Sequence, residues 1–296
     1  MSVNTLYGGE SDNKLENERI TFYQKALIKR LLPELHAYHD AQKSVLPEHS
    51  GLTVNWRKFE SLDVDTTPLT EGQAGDGESL DVTAITGEAK QYGKYITMSD
   101  ILAYAGVDKV MTEGAVLAAE QAAKTVDTII LTAMATTTNT EGSGTQALDE
   151  DFVKKVVLKL KKANARRFSD GYFHALITPD QAYQLMNAQG WVDAAKYGSI
   201  KKLLKGEVGE LHGVRFMETT NLPDGQGFIY GADSYGVVDV ENGAGKPKII
   251  TKGFESGGTS NPLNLIATIG WKNLFLAKVL VPEALCKITT KVAVSA

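Results

Sequence analysis

Hydrophobic positions take a helical period near the start of the chain. Over residues 18–44, Ile20, Tyr23, Leu27, Leu31, Leu35 and Tyr38 recur at three- and four-residue steps, which predicts one amphipathic helix. Pro33 falls inside it, so a kink or break is expected there. Residues 1–17 are polar and read as an arm. From 51 to 97 the helical period is lost. "LTVNWRKF" (52–59) alternates as a strand, with Leu52, Val54 and Trp56 on one side, and "AKQYGKYITM" (89–98) is a second strand. The stretch between them is Gly-rich and acidic, and longer than an ordinary loop. The segment therefore reads as an extended two-stranded arm. Such a ribbon has almost no core of its own, and the sequence shows no platform for it within the chain.

Helical patterning returns at 99–106, where Ser99 or Asp100 serves as cap and Gly106 suits a left-handed exit. A long helix is predicted over 108–134, with Asp108 as N-cap. Its seam is Val116, Ala119, Ala123, Val126, Ile130 and Ala133. At 1.5 Å per residue it spans about 40 Å and reads as a spine. Residues 135–146 are a Thr/Gly/Ser loop, and a basic helix covers 150–168. "YFHALIT" (172–178) is a buried strand. Thr178, Pro179 and Gln181 then form a capping box that opens a helix to about 189. "VRFMET", "GFIYG" and "YGVVDV" are strands, and an apolar run broken by Pro282 ends the chain. Helices and strands mix without a βαβ repeat, which predicts an α+β fold.

Composition changes this picture little. The chain has 296 residues, 43% hydrophobic and 23% charged, typical of a folded protein of one large or two modest domains. A single cysteine, Cys286, excludes an internal disulfide framework and a Cys-rich zinc site. No leader-like apolar segment opens the chain. The apolar stretch 263–282 is interrupted by Lys272, Asn273 and Lys278 and reads as buried strands, so no membrane contact is expected.

Charge is more telling. The net charge of −5 conceals two blocks. Residues 54–97 carry four basic side chains against eight acids, net −4, and residues 152–168 carry seven basic side chains and no acid. Such runs are commonly solvated faces. They also suit complementary surfaces between subunits, or a basic helix facing nucleic acid. Aromatic residues occur only at the ends of the basic run, which argues against base stacking.

Signals for catalysis are weak. His36 and His39 share a helix face but have no third ligand, and His174 reads as a satisfied core histidine. Gly72, Gly75 and Gly77 lack the Lys-Ser or Lys-Thr pair and following helix of a phosphate cradle. Asp63 and Asp65 are a two-acid match that arises easily by chance, and Cys286 reads as a buried hydrophobe. No GxSxG or HExxH motif occurs. A polar arm, an acidic ribbon, a spine helix and a basic helix describe a chain built to touch copies of itself.

Several motifs then occur in a fixed order: Trp-Arg-x-Phe at 56–59, Thr-Pro-Leu-Thr-Glu-Gly at 67–72, Tyr-Gly-x-Tyr at 92–95, a Ser-Asp helix start at 99–102, Leu-Ile-Thr-Pro-Asp at 176–180 and Gly-Trp-Lys at 270–272. No single motif is specific, but their order resembles that of tailed-phage and prophage major capsid proteins, of the phage N4 type. The resemblance implies the HK97-like capsid fold. Residues 1–50 would be the N-terminal arm and helix, and 51–98 the β-hairpin extension called the E-loop. Residues 99–172 would be the peripheral domain, 173–248 the axial domain, and 249–296 strands returning to the peripheral domain. It also implies a non-enzymatic subunit, without cofactor or metal, that assembles in the host cytoplasm as hexamers and pentamers of an icosahedral shell. The partners implied are further copies of the chain, scaffold, portal and decoration proteins, and packaged double-stranded DNA held non-specifically.

On this reading Trp56, Arg57, Phe59, Glu71, Asp76, Glu78, Lys90 and Lys94 lie at a subunit interface. They meet a basic surface of the neighbour carrying Lys154, Lys155, Lys159, Arg166 and Arg167. Some relatives join neighbours by a Lys–Asn isopeptide bond, for which Lys58, Lys90 and Lys94 are the available lysines, but the sequence identifies neither the Asn nor the catalytic acid. Alternative readings are an encapsulin-like shell around protein cargo, a small-molecule enzyme with a polar pocket on an α+β fold, and a tail or decoration protein lacking the spine helix.

Overall fold

A computed structural model describes residues 37–47, 51–68, 71–72, 77–105, 110–187, 207–240, 247–256 and 261–292. Two sheets and a separate hairpin carry the architecture, which is α+β as expected. The hairpin pairs β2 (Thr53–Phe59) with β3 (Val82–Glu88). The first sheet is ordered β1-β10-β12-β11, with β4 also on β12. It joins β1 (Gln42–Leu46), β4 (Lys90–Ser99), β10 (Tyr235–Val240), β11 (Lys248–Lys252) and the 14-residue β12 (Ile266–Val279). The second sheet is ordered β5-β13-β9-β6-β8-β7. Its strands are β5 (Thr140–Glu141), β6 (Phe173–Ile177), β7 (Glu207–Leu211), β8 (Val214–Glu218), β9 (Gln226–Tyr230) and β13 (Leu285–Thr289).

Among the described residues five α-helices accompany the sheets: α1 (Ala37–Asp40), α2 (Asp100–Ala105), α3 (Val110–Met134), α4 (Glu150–Lys162) and α5 (Pro179–Met186). The long helix is present, and Val126 and Ile130 of its predicted seam pack into the core, but at the alanine positions the buried face lies one residue away. Ala118, Ala122, Ile130, Leu131 and Met134 are buried, whereas Val116 and Ala119 are exposed. Small residues win the inner face because β12 packs close: Ala118 and Ala122 lie under Ile269 and Trp271. A Cβ on Gly114 would come within 3.2 Å of Ile269 Cδ1.

The first predicted helix does not run to 44. In the described residues it ends at Asp40, and 42–46 form β1, parallel to β10 with Ser44 opposite Val238. Pairing along a sheet edge overrides the helical pattern there. Residues 1–36, including His36, Pro33 and the rest of the stripe, lie outside the described residues.

The ribbon is also corrected. "AKQYGKYITM" is not the second strand of the arm. As β4 it pairs with β12 over ten positions, and the strand facing β2 is "VTAITGE", within the stretch expected to be loop. The basic helix ends at Lys162 rather than 168, because Asn164 takes a left-handed conformation (φ 53°) and closes it. Its apolar face, Phe152, Val153, Val156, Val157 and Leu160, packs on the second sheet against Phe173, Ala175, Val214, Phe216 and Ile288.

Other expectations are met. Thr178 and Gln181 form the reciprocal capping box. Ser99 Oγ accepts from Leu102 N–H at 3.3 Å. Cys286 is buried, and burial pushes its thiol up to about 11. The terminal run divides at Pro282. β12 joins the sheet beneath the long helix, whereas β13 leaves it for the second sheet, opposite β9. A third core, with Met134, Tyr230, Tyr235 and Phe275, joins the two sheets.

Candidate assembly surfaces

The hairpin has an internal anchorage at its stem. Trp56 is half-buried and donates its indole N–H to Ser44 Oγ of β1 at 3.3 Å. At the same end Ala89 N–H donates to Leu52 O at 2.8 Å. Gly87 lies against β12: a Cβ there would come within 2.8 Å of Leu276 Cδ2. The arm therefore springs from a platform made by β1 and β12. Its β12 half could not be read from the sequence, because Gly87 and Leu276 lie 189 positions apart; Ser44 is only 12 positions from Trp56, but the helical pattern concealed its strand.

Beyond the stem the arm is exposed. Glu60 N–H donates to Asp81 O at 3.0 Å and Thr83 Oγ1 to Glu60 Oε1 at 2.8 Å, continuing the ladder by one step. Asp63 N–H donates to Glu78 Oε1 at 3.1 Å. Asp65 accepts from Thr67 N–H at 2.7 Å, and this backbone bond, with a further one from the Thr67 hydroxyl, lowers its carboxyl below the ordinary range. The arm bears Phe59 (65% exposed), Leu62, Val64 (89% exposed) and Leu80. Large apolar side chains left in water along an extended ribbon mark a contact surface rather than a core.

A second apolar surface, which the sequence reading missed, lies where α2 meets the start of β12. Ile101, Tyr104 (91% exposed), Leu263, Leu265 and Ile266 are exposed there, and Asp100 N–H donates to Leu265 O at 3.0 Å, bringing the two segments together. Its only sequence signal was a six-residue helix with apolar residues on every side.

The third surface is the outer face of α4. Lys154 Nζ contacts Glu150 at 2.6 Å and Asp151 at 3.6 Å. Lys159 Nζ donates to Thr140 O at 2.9 Å and reaches Glu141 at 3.4 Å. Lys155, Lys161 and Lys162 are exposed and form no ion pair among the described residues, and Leu158 is exposed beside them. Arg166 and Arg167 lie past the helix and hold the following turn. Arg166 pairs with Asp233 at 3.2 Å; Arg167 donates to Gly171 O at 3.2 Å and lies over the Phe173 ring.

The remaining predicted interface residues divide. Arg57, Phe59, Glu71 and Glu78 are exposed on the arm, Lys90 and Lys94 are exposed on β4 within the first sheet, and Asp76 lies outside the described residues. His39 is exposed beside Asp40, and among the described residues no three His, Cys, Asp or Glu side chains are placed to hold a metal ion. A shallow open groove on the β4-β12-β11 face is lined by Gly93, Tyr95, Ile250 and Trp271 with Lys94, Lys252 and Thr268. No described helix is long and apolar enough to cross a membrane.

Comparison with known proteins places these features in context. A family model described as phage capsid protein matches residues 83–288. Three solved structures share the fold. One is the capsid of cyanophage P-SCSP1u (12% identity, 95% of each chain covered, TM-score 0.71). Another is the capsid asymmetric unit of cyanophage Pam1 (13% identity, 98% of this chain and 99% of that one, TM-score 0.69). The third is from Mycobacterium phage Che8 (15% identity, 92% and 97%, TM-score 0.68). No curated protein sequence matches significantly.

Proposed function

The chain belongs to the phage capsid protein family and is a major capsid protein on the HK97-like fold, and from that premise we propose that its copies join as hexamers and pentamers into an icosahedral shell around double-stranded DNA. The observation that carries the reading is the arm. Phe59, Leu62, Val64 and Leu80 are exposed on an extended hairpin that, among the described residues, is anchored at its stem. A neighbouring copy supplies the surface that removes these side chains from water, at roughly 25 cal/mol for each Å² covered.

In this proposal residues 51–88 are the E-loop and α3 is the spine helix. The first sheet belongs to the peripheral domain and most of the second sheet to the axial domain; α4, expected in the peripheral domain, goes with the axial one because its apolar face packs on the second sheet. The acids of the arm meet basic side chains of the next subunit, among which Lys155, Lys161 and Lys162 of α4 are available. The exposed edge of α2 and residues 263–266 form a further contact between copies. Scaffold, portal and decoration proteins are the other expected partners, the virion the final location and the host cytoplasm the place of assembly. The phage N4 type rests on the residue motifs alone.

Negative-stain electron microscopy of the purified full chain, beside a sizing column, tests the proposal. Uniform hollow shells, hexamers or pentamers are the expected result. A monodisperse monomer at both low and high salt, with scaffold co-expressed, would overturn it. Nuclease-protected DNA within particles from infected cells separates a genome shell from one that holds protein cargo.

A further inference from the structure

A buried charge cluster ties the N-terminal segment to the second sheet. His174, on β6, is nearly covered, and so is the Asp40 carboxylate. Its Nδ1 lies 2.6 Å from Asp40 Oδ2 at the end of α1, and its Nε2 lies 2.9 Å from Asp170 Oδ2. Phe168 stacks on the ring at 4.0 Å. With a carboxylate on each ring nitrogen, both contacts are hydrogen bonds only when the imidazole carries two protons.

The surrounding groups hold the carboxylates in place. Tyr230 of β9 donates its hydroxyl to Asp40 Oδ2 at 2.9 Å, and exposed His39 meets Asp40 Oδ1 at 3.1 Å. Asp170 accepts from Tyr172 N–H at 3.0 Å and pairs with Arg215 of β8 at 2.8 Å; Arg215 also reaches Glu210 of β7 at 3.4 Å. Tyr235 of β10 packs edge-on against Tyr230 and donates to Ala37 O at 2.7 Å. Burial alone would lower the His174 pKa, but the two carboxylates outweigh it and hold the ring above its usual value. Loss of one proton leaves one nitrogen lone pair facing a carboxylate inside the protein, which is repulsive and poorly screened.

Asp40 is followed within two residues by β1, and β1 carries Ser44, the acceptor for Trp56 at the hairpin stem. The cluster and the arm are thus connected by one short strand. We propose that Asp40, His174 and Asp170 form a proton-operated clasp that fastens residues 37–46 to the second sheet and, through Ser44 and Trp56, sets the stem of the hairpin. With the imidazole doubly protonated the clasp is closed. Withdrawal of one proton at alkaline pH opens it, frees β1 from β10 and loosens the anchorage of the arm. The clasp acts within one chain, so it stands whether or not the arm lies on a neighbour.

Hydrogen–deuterium exchange on the full chain from pH 6 to pH 10, corrected for the intrinsic pH dependence of exchange, tests this. Protection of 42–46 and 53–59 is expected to fall together at least tenfold as pH rises, with 152–160 of α4, which carries no member of the cluster, unchanged as the internal reference. In His174→Gln, which cannot titrate, protection of both segments is expected to be independent of pH. In Ser44→Ala, a change at a half-buried position on the sheet edge that leaves the core intact, 42–46 keeps its pH response and 53–59 loses it. Unchanged protection of 42–46 across the range would overturn the clasp. A pH response of 53–59 that persists in Ser44→Ala would overturn its connection to the arm.

Discussion

Gly270 of β12 stands opposite Tyr95 of β4, and a Cβ built on it would come within 2.7 Å of Tyr95 Cβ and 2.9 Å of the Lys94 carbonyl oxygen. Gly93 has the reciprocal position: its Cβ would meet the Trp271 carbonyl at 2.7 Å. Tyr-Gly-x-Tyr and Gly-Trp-Lys, far apart in sequence, are therefore two halves of one close strand contact. The atoms that would be struck are mostly backbone, so the strands must separate to admit a methyl group. Gly270→Ala and Gly93→Ala are expected to destabilise the chain by about 1–3 kcal/mol. Gly253→Ala, where nothing lies within 4 Å, serves as the control. Urea unfolding midpoints of the three variants decide it.

The same strand fastens the long helix. Trp271 donates its indole N–H to Gln121 Oε1 at 3.1 Å and packs on Ala118 and Ala122. Trp271→Ala removes a large buried ring and is expected to cost about 3–5 kcal/mol. Gln121→Ala removes one hydrogen bond and is expected to cost about 1 kcal/mol. Equal losses in the two variants would show that the hydrogen bond, and not the packing, fixes the helix.

Local signals were legible in the sequence, and long-range ones were not. The capping box at Thr178 and the cap at Ser99 depend on neighbours three residues away, so the pattern contained them. The helix over 110–134 was legible as a helix. Its buried face was legible only at Val126 and Ile130, because an alanine-rich helix presents small residues on several sides and only β12 selects Ala118 and Ala122 over Ala119 and Ala123. β1 was hidden because its pairing with 236–240 lies almost 200 residues away and the helical stripe ran into it. β3 was hidden because its strand character, "VTAITGE", is that of a Thr-rich loop until β2 lies beside it. The apolar arm was legible as an arm, but its partner strand and its anchorage at Ser44 and Leu276 were not.

Thr178→Ala removes the acceptor for the buried Gln181 N–H but keeps the backbone N–H of residue 178 that donates to Gln181 Oε1, so one half of the capping box is lost. A loss of about 1–2 kcal/mol is expected, as for other N-cap deletions. Thr178→Ser keeps the acceptor and is expected to recover most of it. Thermal melting of both variants separates the cap from the lost methyl group.

Stability should fall on both sides of a central pH range, for opposite reasons. His174 is held above its ordinary value of 6.5, so its contribution is complete below that pH and is lost as pH rises through the higher folded value. Burial acts to raise Asp40 and Asp170, but their hydrogen bonds, to His174 above all, hold both below 3.8. Their contribution is present above that pH and is lost as pH falls through the lower folded values. The melting temperature is therefore expected to decline above neutral pH and again in strong acid. His174→Gln should remove the alkaline decline and keep an acid one. An alkaline decline of the same size in His174→Gln would assign it to other groups.

Assembly should respond unequally to the lysines of α4. Lys154 and Lys159 already have partners within the chain, Glu150 with Asp151 and Glu141 with Thr140 O. Reversing their charge disturbs the helix as well as any contact with a neighbour. Lys155, Lys161 and Lys162 lack such partners among the described residues, so their reversal to Glu leaves the folded subunit nearly unchanged. If the acidic arm of one copy meets this face of another, the triple reversal lowers shell yield most at low salt and added salt partly restores it, because repulsion, like attraction, is screened within about 10 Å at 0.1 M. Melting temperature of the unassembled chain should stay within a few degrees of the parent. Light scattering during assembly from 50 to 500 mM salt reads the outcome. A yield that follows the parent's salt curve would place the arm's acidic contacts elsewhere on the neighbour and leave the α4 lysines facing solvent or packaged DNA.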